Sequence, residues 1–174
     1  MNHIQPGTHP LLIFSLADCL AAFPVAEIER ITALAELARP PGLPPVLEGV
    51  LNLAGAAVPV LRLDRLFDFK AQGFKTQHPG LYSILIILRC GNGGKIAVLA
   101  DRVNEILPVS SDAMHPIGKE DIFRGCADAI VTFGQETTYL LSINRLLLAK
   151  EQRLLAQFQA MEQVRLEKWE ADPA

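Results

Sequence analysis

The sequence predicts a mostly β protein in which short strands form a barrel or a sandwich, with short helices and one long helix near the C-terminus. Two observations favour this class. Pairs of apolar runs are separated by turns that contain glycine, which is the pattern of β-hairpins. Several runs are apolar at every position, so both faces of those strands are expected to be covered by a second sheet. The 174 residues suit one sizeable domain or two small subdomains that share a core.

The N-terminal segment Met1–Pro10 is polar and contains two prolines, which predicts a loose leader. Leu11–Leu16 and Cys19–Phe23 are apolar runs on either side of a tight break at Ala17-Asp18, and we expect them to be strands.

A helix is predicted after the second strand. Pro24 suits the first turn of a helix, and the apolar Val25 and Ile28 would share one face of a helix that continues to Ile31. The segment Arg39–Pro45 then predicts a stiff connector, because proline fixes φ and removes backbone donors.

The next element is a central hairpin. Gly49–Leu53 and Ala57–Leu63 are β-compatible runs around Ala54-Gly55-Ala56, and Gly55 can adopt the positive φ of a tight turn. The same reasoning predicts the remaining strands, which are Leu81–Leu88 and Lys95–Ala100 around Gly91-Asn92-Gly93-Gly94, Val103–Val109, and Cys126–Phe133 and Thr137–Ile143 around Gly134-Gln135-Glu136.

The C-terminal segment predicts a helix from Arg145 towards Trp169, with Asn144 as its N-cap. We expect its first turns to pack on the strands, and its last turns to fray or to contact a partner; self-association through this helix is left open. The apolar residues expected on one face are Leu147, Leu148, Leu154, Leu155, Phe158, Met161 and Trp169, interrupted by Glu151, Glu162 and Arg165.

Composition excludes several classes of function. The net charge of −3 and the absence of a lysine- or arginine-rich block argue against a nucleic-acid partner and against electrostatic binding to a membrane surface. No apolar run reaches the roughly 18 residues of a membrane-spanning helix. Cys19, Cys90 and Cys126 are widely spaced, so we interpret them as reduced thiols in a cytoplasmic protein, with no disulfide and no metal knuckle.

The sequence also lacks a set of residues for catalysis or for a cofactor. Gly93-Gly94-Lys95 departs from a phosphate-binding loop, since Arg89 and Ile96 stand where glycine and Ser or Thr are needed. The four histidines lack metal-ligand spacing, and Asp101 and Glu105 are close along a single strand, where carboxylates seldom converge on a substrate. We therefore predict a non-enzymatic binding protein without cofactor or metal.

The central hairpin carries a resemblance to a known family. The run VLEGVLNLAGAAVPVL, Val46–Leu61, resembles the signature of CheW, the adaptor of bacterial chemotaxis arrays. The resemblance covers about Leu11–Leu148 in the family's order and spacing. Four further segments agree with it: Leu12–Leu16 with Phe23–Ile28, Ile96–Leu107 as the "V-D-x-V-x-E-V" strand, Gly125 before the last hairpin, and Leu140–Leu147 as the closing strand and helix start.

The resemblance implies a fold of two small SH3-like five-stranded β-barrels that share a hydrophobic core. It also implies a scaffold that couples the cytoplasmic helices of chemoreceptors to the regulatory domain of a CheA-type histidine kinase. One barrel would meet the kinase domain, and a groove between the barrels would take the receptor helices. On this basis 11–148 forms the family domain and 149–174 an additional helix and tail. The candidate partner-binding residues are Val25, Ile28, Arg30, Glu48, Asn52, Ala54, Val58, Arg62, Asp64, Arg102 and Asn104.

The chain departs from the family pattern at three places. Ala54 stands where family members usually have the arginine of N-L-R-G, Arg62-Leu63-Asp64 inverts the common acidic-to-basic order, and Arg30 replaces a frequent acidic residue. An arginine offers up to five donors that alanine lacks. An alternative is therefore a redirected CheW-like binding module that serves another partner, such as one in pilus motility or another kinase pathway.

Overall fold

The structure is a computed structural model that describes residues 7–76, 78–91, 93–119, 121–146 and 149–171. Leader residues 1–6, the turn residue Asn92 and the predicted helix residues Leu147 and Leu148 lie outside the described residues. The strands are β1 Thr8–Leu16, β2 Cys19–Pro24, β3 Ile28–Ala33, β4 Leu47–Leu53, β5 Ala56–Leu61, β6 Ile84–Arg89, β7 Lys95–Ala100, β8 Arg102–Ser110, β9 Met114–His115, β10 Ala127–Phe133 and β11 Glu136–Leu141. The helices are α1 Leu63–Leu66, α2 Ile143–Leu146 and α3 Ala149–Ala171.

The strands form two sheets. One has the order β8-β1-β2-β11-β10-β9 and the other the order β3-β6-β7-β5-β4. The second sheet is continuous along the chain, whereas the first combines the N-terminal hairpin with the strands that follow β7. The predicted hairpins β1–β2, β4–β5, β6–β7 and β10–β11 are all confirmed as antiparallel pairs.

The helix predicted from Pro24 to Ile31 is wrong. A 3₁₀ turn covers Val25–Glu27 only, and the chain then enters β3, which pairs antiparallel with β6. The β-branched Ile28, Ile31 and Thr32 suit a strand, and pairing with β6 outweighs the helical spacing of the apolar residues.

The first strand begins earlier than predicted. Thr8–Pro10, assigned to the leader, extends β1, and Thr8 pairs opposite Ser110 at the end of β8. The nine-residue β8 is long enough to give these polar residues backbone partners.

One hydrophobic core joins the two sheets. Phe14 and Phe23 of the first sheet stack with ring centroids 5.3 Å apart, and they share a buried cluster with Val98 of the second sheet. Along β5, Ala57 and Leu61 belong to this shared core, whereas Val58 and Val60 belong to a separate cluster within the second sheet. The continuous apolarity of the strand therefore reflects two cores, one on each of its faces.

Gly49 of β4 allows another segment to approach closely. A Cβ built there would lie 2.7 Å from the Cβ of Leu37 and 2.9 Å from the carbonyl oxygen of Ala38. Ala38 forms an isolated antiparallel bridge with Val50, so this segment covers the outer edge of β4.

The C-terminal helix is present, but its buried face differs from the predicted one. Leu155 and Phe158 are buried, whereas Leu154, Met161 and Trp169 are exposed. The helix packs on β5 with the side that carries Leu155, Phe158 and also Glu162, which is 4% exposed. The stripe of apolar residues is thus divided between the core and the surface.

Candidate partner-binding surface

The β4–β5 turn is an exposed tip with a hydrogen bond that supports its geometry. Ala54 and Gly55 have φ values of 50° and 85°, the pair of positive φ angles expected of a type I′ turn. The side-chain oxygen of Asn52 accepts a hydrogen bond from the backbone N–H of Gly55 at 2.9 Å. Asn52 and Ala54 are exposed. The turn geometry is therefore fixed by the backbone and Asn52, and the side chain at position 54 faces solvent.

A buried ion-pair network lies at the opposite end of the same hairpin. The guanidinium of Arg62 donates to both carboxylate oxygens of Asp64 at 2.8 and 2.6 Å, and to Glu48 at 3.0 Å. Glu48 also pairs with Arg39 at 2.8 Å and with Arg65 at 3.3 Å. The side chains of Arg62, Glu48 and Asp64 are 8%, 10% and 7% exposed, so these charges stabilise each other inside the protein.

The network explains the inverted charge order. Arg62 lies between Asp64 and Glu48 and bonds both, so an arginine at position 62 is matched by the acidic residue at position 64 and by Glu48 across the hairpin. Burial works to lower the pKa of the Arg62 guanidinium, but the hydrogen bonds and charges of Asp64 and Glu48 outweigh burial and the pKa is raised.

A further carboxylate lies against this network. Burial raises the pKa of Asp101, and the nearby charge of Asp64 raises it further, although a 2.7 Å hydrogen bond from the backbone N–H of Ala17 opposes the change. Asp101, Asp64, Arg62 and Ala17 line the same small hollow.

Two other groups of predicted residues lie elsewhere. Val25 in the 3₁₀ turn and Ile28 at the start of β3 are half-buried and pack against the shared core, and Arg30 is exposed on that edge strand. On the other sheet, Arg102 and Asn104 are exposed on β8, and Asn104 accepts a hydrogen bond from the Ser15 hydroxyl at 2.8 Å.

The strand register shows which groups share an end of the second sheet. Ile28 at the start of β3 pairs with Leu88 near the end of β6, and Leu88 pairs with Ile96 near the start of β7. Because β5 runs parallel to β7, the β4–β5 turn that precedes β5 lies at the same end of the sheet as the β6–β7 turn and the start of β3. Glu48 and Arg62 lie at the other end, where Leu47 pairs with Leu61. The predicted residues therefore do not form one patch.

The structure corrects the assignment of Val58, which is 0% exposed and lies among core residues. Arg62, Asp64 and Glu48 are likewise not free to contact a partner with their charged groups in this conformation. These four residues are buried and stabilise the central hairpin, so their side chains are not part of an exposed partner-binding surface.

Sequence reasoning missed several features. Arg39 belongs to the ion-pair network, and Gln159 and Gln163 of α3 bond the backbone of the central hairpin. Leu81 and Tyr82 form an exposed apolar pair, 95% and 87% exposed, in the turn before β6. Their position just before an apolar run led to their assignment to the strand.

Within the described residues, no group of three His, Cys, Asp or Glu side chains is placed to hold a metal ion.

Burial, with a smaller contribution from Asp18, raises the pKa of the Cys19 thiol to about 11, so this thiol stays protonated at neutral pH. Among the helices in the described part of the chain, none is long and apolar enough to cross a membrane.

Comparison with known proteins agrees with this architecture. A curated relative, the chemotaxis protein CheW of Rhizobium meliloti (strain 1021), is 29% identical over 119 residues, which is 66% of this chain and 70% of the relative. The solved structure of the scaffolding protein TtCheW from Thermoanaerobacter tengcongensis superposes with a TM-score of 0.72 at 20% identity, covering 87% of this chain and 95% of that one. This likeness confirms the predicted two-barrel, SH3-like fold.

The family model of the CheW-like domain matches residues 10–151, which include all strands except the first two residues of β1 and end just inside α3. The chain belongs to the CheW-like domain family.

Proposed function

We propose that this chain is a non-enzymatic cytoplasmic scaffold that couples the cytoplasmic helices of chemoreceptors to the regulatory domain of a CheA-type histidine kinase. The observation that carries the proposal is the central hairpin. The segment with the family signature forms an exposed tip at residue 54 and, at the opposite end of the same hairpin, a buried set of ion pairs, and both lie within the residues that match the family.

The distribution of exposed candidate residues supports a bridging role. Arg30, Asn52 and Ala54 belong to the second sheet, whereas Arg102 and Asn104 belong to the first. A scaffold that holds two partners at once needs two separate surfaces, and residues on different sheets supply them. We assign the exposed residues of the second sheet to one partner and those of β8 to the other.

The proposal is tested by calorimetric titration of this chain with a kinase regulatory domain and, separately, with a receptor-tip fragment from the same genome. We expect the parent chain to bind each partner with micromolar or lower Kd. The variants Arg30→Ala and Arg102→Ala should each weaken one partner on the order of tenfold and leave the other unchanged, as expected for contact residues in separate interfaces.

Absence of binding to both partners would remove the proposal. If both variants weakened the same partner equally, the scaffold role would survive but the assignment of one surface to each sheet would be wrong. The exposed Glu167 of α3 offers a matched control, because Glu167→Ala removes one surface charge outside both groups.

A further inference from the structure

A half-open hollow lies where the β1–β2 turn and the start of β11 meet two loops, one between α1 and β6 and one between β9 and β10. Its volume is about 280 Å³. None of its lining residues is among the candidate partner-binding residues of the sequence. We name it the Asp18–Glu136 hollow, and the lining side chains that matter here are Asp18, Leu20, Phe74, Ile122, Glu136 and Tyr139.

The pairing of β2 with β11 brings two carboxylates to the same end of the first sheet. The two strands run parallel, and Leu20 pairs with Thr138. Asp18 and Glu136 each precede that pair by two residues, on segments held side by side, and neighbouring strands are about 4.8 Å apart. Both side chains are exposed, and among the described residues neither forms a salt bridge. Like charges opposite each other on adjacent strands are destabilising, so this end of the sheet has a negative charge that is not balanced.

Aromatic rings form part of the wall of the hollow, and the core holds them in place. Phe74 packs on Phe69 with ring centroids 4.9 Å apart, and Tyr139 packs on Phe123 at 5.2 Å. Phe69 and Phe123 are fully buried and contact each other at 5.5 Å. Phe74 and Tyr139 are half-buried, so each ring keeps some accessible surface. The hollow therefore combines fixed aromatic surface with two carboxylates.

Arginine is the side chain that fits this combination. Its guanidinium is attracted to the face of an aromatic ring and can donate to two carboxylates at once, and its methylene groups suit apolar walls such as Leu20 and Ile122. Within the part of the chain that the structure describes, no basic side chain lines the hollow. Lys75 and Arg124, which are close in sequence to lining residues, lie outside the lining.

We propose that the Asp18–Glu136 hollow binds an arginine side chain presented by a basic segment of a partner protein. Its volume is just below the roughly 300–1,000 Å³ of pockets that enclose a small molecule, so it suits a single side chain. Arginine is also enriched among the residues that anchor protein interfaces. The net charge of the chain is −3, so a basic partner complements it, whereas a second copy brings the same negative charge. The proposal does not depend on the partners named above.

Nuclear magnetic resonance titration of the full chain with N-acetyl-arginine amide tests the proposal. We expect saturable shifts at the amides of Leu20, Ile122 and Thr137, with a Kd of about 1–10 mM for one isolated side chain. N-acetyl-citrulline amide is the matched control ligand, because it has nearly the same shape and no positive charge. It should bind at least about tenfold more weakly, since hydrogen bonds between charged groups are the stronger ones. Equal binding of the two ligands, or no shift at these amides with either, would overturn the proposal.

Two double variants separate the hollow from the general charge of the chain. Asp18→Asn/Glu136→Gln should bind N-acetyl-arginine amide at least about tenfold more weakly than the parent. Glu167→Gln/Glu170→Gln removes two exposed charges of α3 and should bind like the parent. Phe74→Leu should weaken binding about two- to fivefold, the value of a cation–π contact at an accessible site. Unchanged binding by the first variant, or equal weakening by both double variants, would overturn the proposal.

Thermal unfolding of the same variants provides a readout that needs no ligand. The Tm of Asp18→Asn/Glu136→Gln should be no lower than that of the parent, because the two carboxylates repel each other. A lower Tm would show that these carboxylates have stabilising partners inside the chain, and the hollow would then have no unbalanced charge to offer an arginine.

Two further measurements identify the source of the arginine. The peptide acetyl-Gly-Arg-Gly-amide should bind at least as tightly as free arginine, which has the same net charge, because residues beside an anchor add contacts. Tighter binding of free arginine would overturn the assignment to a protein segment. Sedimentation velocity should show a monomeric parent. A dimer that Asp18→Asn/Glu136→Gln loses would assign the hollow to a second copy and overturn the assignment to a partner.

Discussion

Replacing Arg62 tests whether the buried ion pairs hold the central hairpin. Arg62→Leu keeps an apolar side chain of moderate size but removes the guanidinium that bonds both oxygens of Asp64 and one oxygen of Glu48. Glu48 keeps Arg39 and Arg65 as partners. Asp64 loses its bidentate partner while its side chain remains 7% exposed.

The expected loss in the free energy of unfolding comes mainly from Asp64, because Glu48 keeps two arginine partners and Asp64 loses its bidentate one. Breaking a buried pair by removing one member costs about 3–5 kcal/mol, because the other charge stays buried without compensation. For a chain of 174 residues this lowers Tm by roughly 6–20 °C, at about 2–4 °C per kcal/mol. Arg62→Lys keeps the charge but not the fork geometry, so we expect a smaller loss of about 1–3 kcal/mol.

Urea unfolding followed by circular dichroism measures these differences. Arg102→Leu is the matched control, since Arg102 is exposed and surface substitutions change stability by about 0.5 kcal/mol or less. The reasoning fails if Arg62→Leu costs less than about 1 kcal/mol, the value of a surface ion pair.

Further predictions concern the central hairpin and its surroundings. Gly55→Val should cost about 1–3 kcal/mol because a β-branched residue is strained at φ 85°, and an unchanged melting temperature would show that the turn tolerates it. Gly49→Ala should cost about 2–3 kcal/mol through overpacking against the Leu37–Ala38 segment, measured by urea unfolding; a loss below 0.5 kcal/mol would mean that the segment moves aside. Ala54→Arg should change stability by less than about 0.5 kcal/mol, because the side chain is exposed, yet alter partner affinity in calorimetry; gross unfolding would contradict the exposed tip. The pKa of Asp101 is raised above its ordinary value of 3.8, so folding favours its protonated form and the protein loses stability as this carboxyl ionises at rising pH. The Tm of Asp101→Asn minus the Tm of the parent should therefore increase from pH 3 to pH 7, and a Tm difference that does not change with pH would refute this.

Local patterns were sufficient to predict the hairpins. Glycine turns between apolar runs identify adjacent antiparallel strands, and the positive φ at Gly55 is a local requirement. The segment after Pro24 was misassigned because its apolar spacing fits a helix, whereas its structure is decided by pairing with β6, more than 50 residues later. Such long-range pairing leaves no signature in a short window of sequence.

The candidate site was predictable only in part. The exposed tip follows from the hairpin itself, but the burial of Val58 depends on which face of β5 lies inside its own barrel. The partnership of Arg62 with Asp64 is local. Glu48 joins it through the pairing of β4 with β5, and Arg39 joins only when the connector folds over β4. The glutamine contacts of α3 join residues more than 100 positions apart, and nothing in the polar pattern of the helix indicates them.

The most direct test of the scaffold proposal is whether the chain brings both partners together. A receptor-tip fragment is immobilised, and retention of the kinase regulatory domain is measured with and without this chain. We expect retention that depends on the chain, saturates with its concentration and falls on the order of tenfold with either Arg30→Ala or Arg102→Ala. Retention that is equal with and without the chain, or none at micromolar concentrations of all three proteins, would contradict the scaffold proposal.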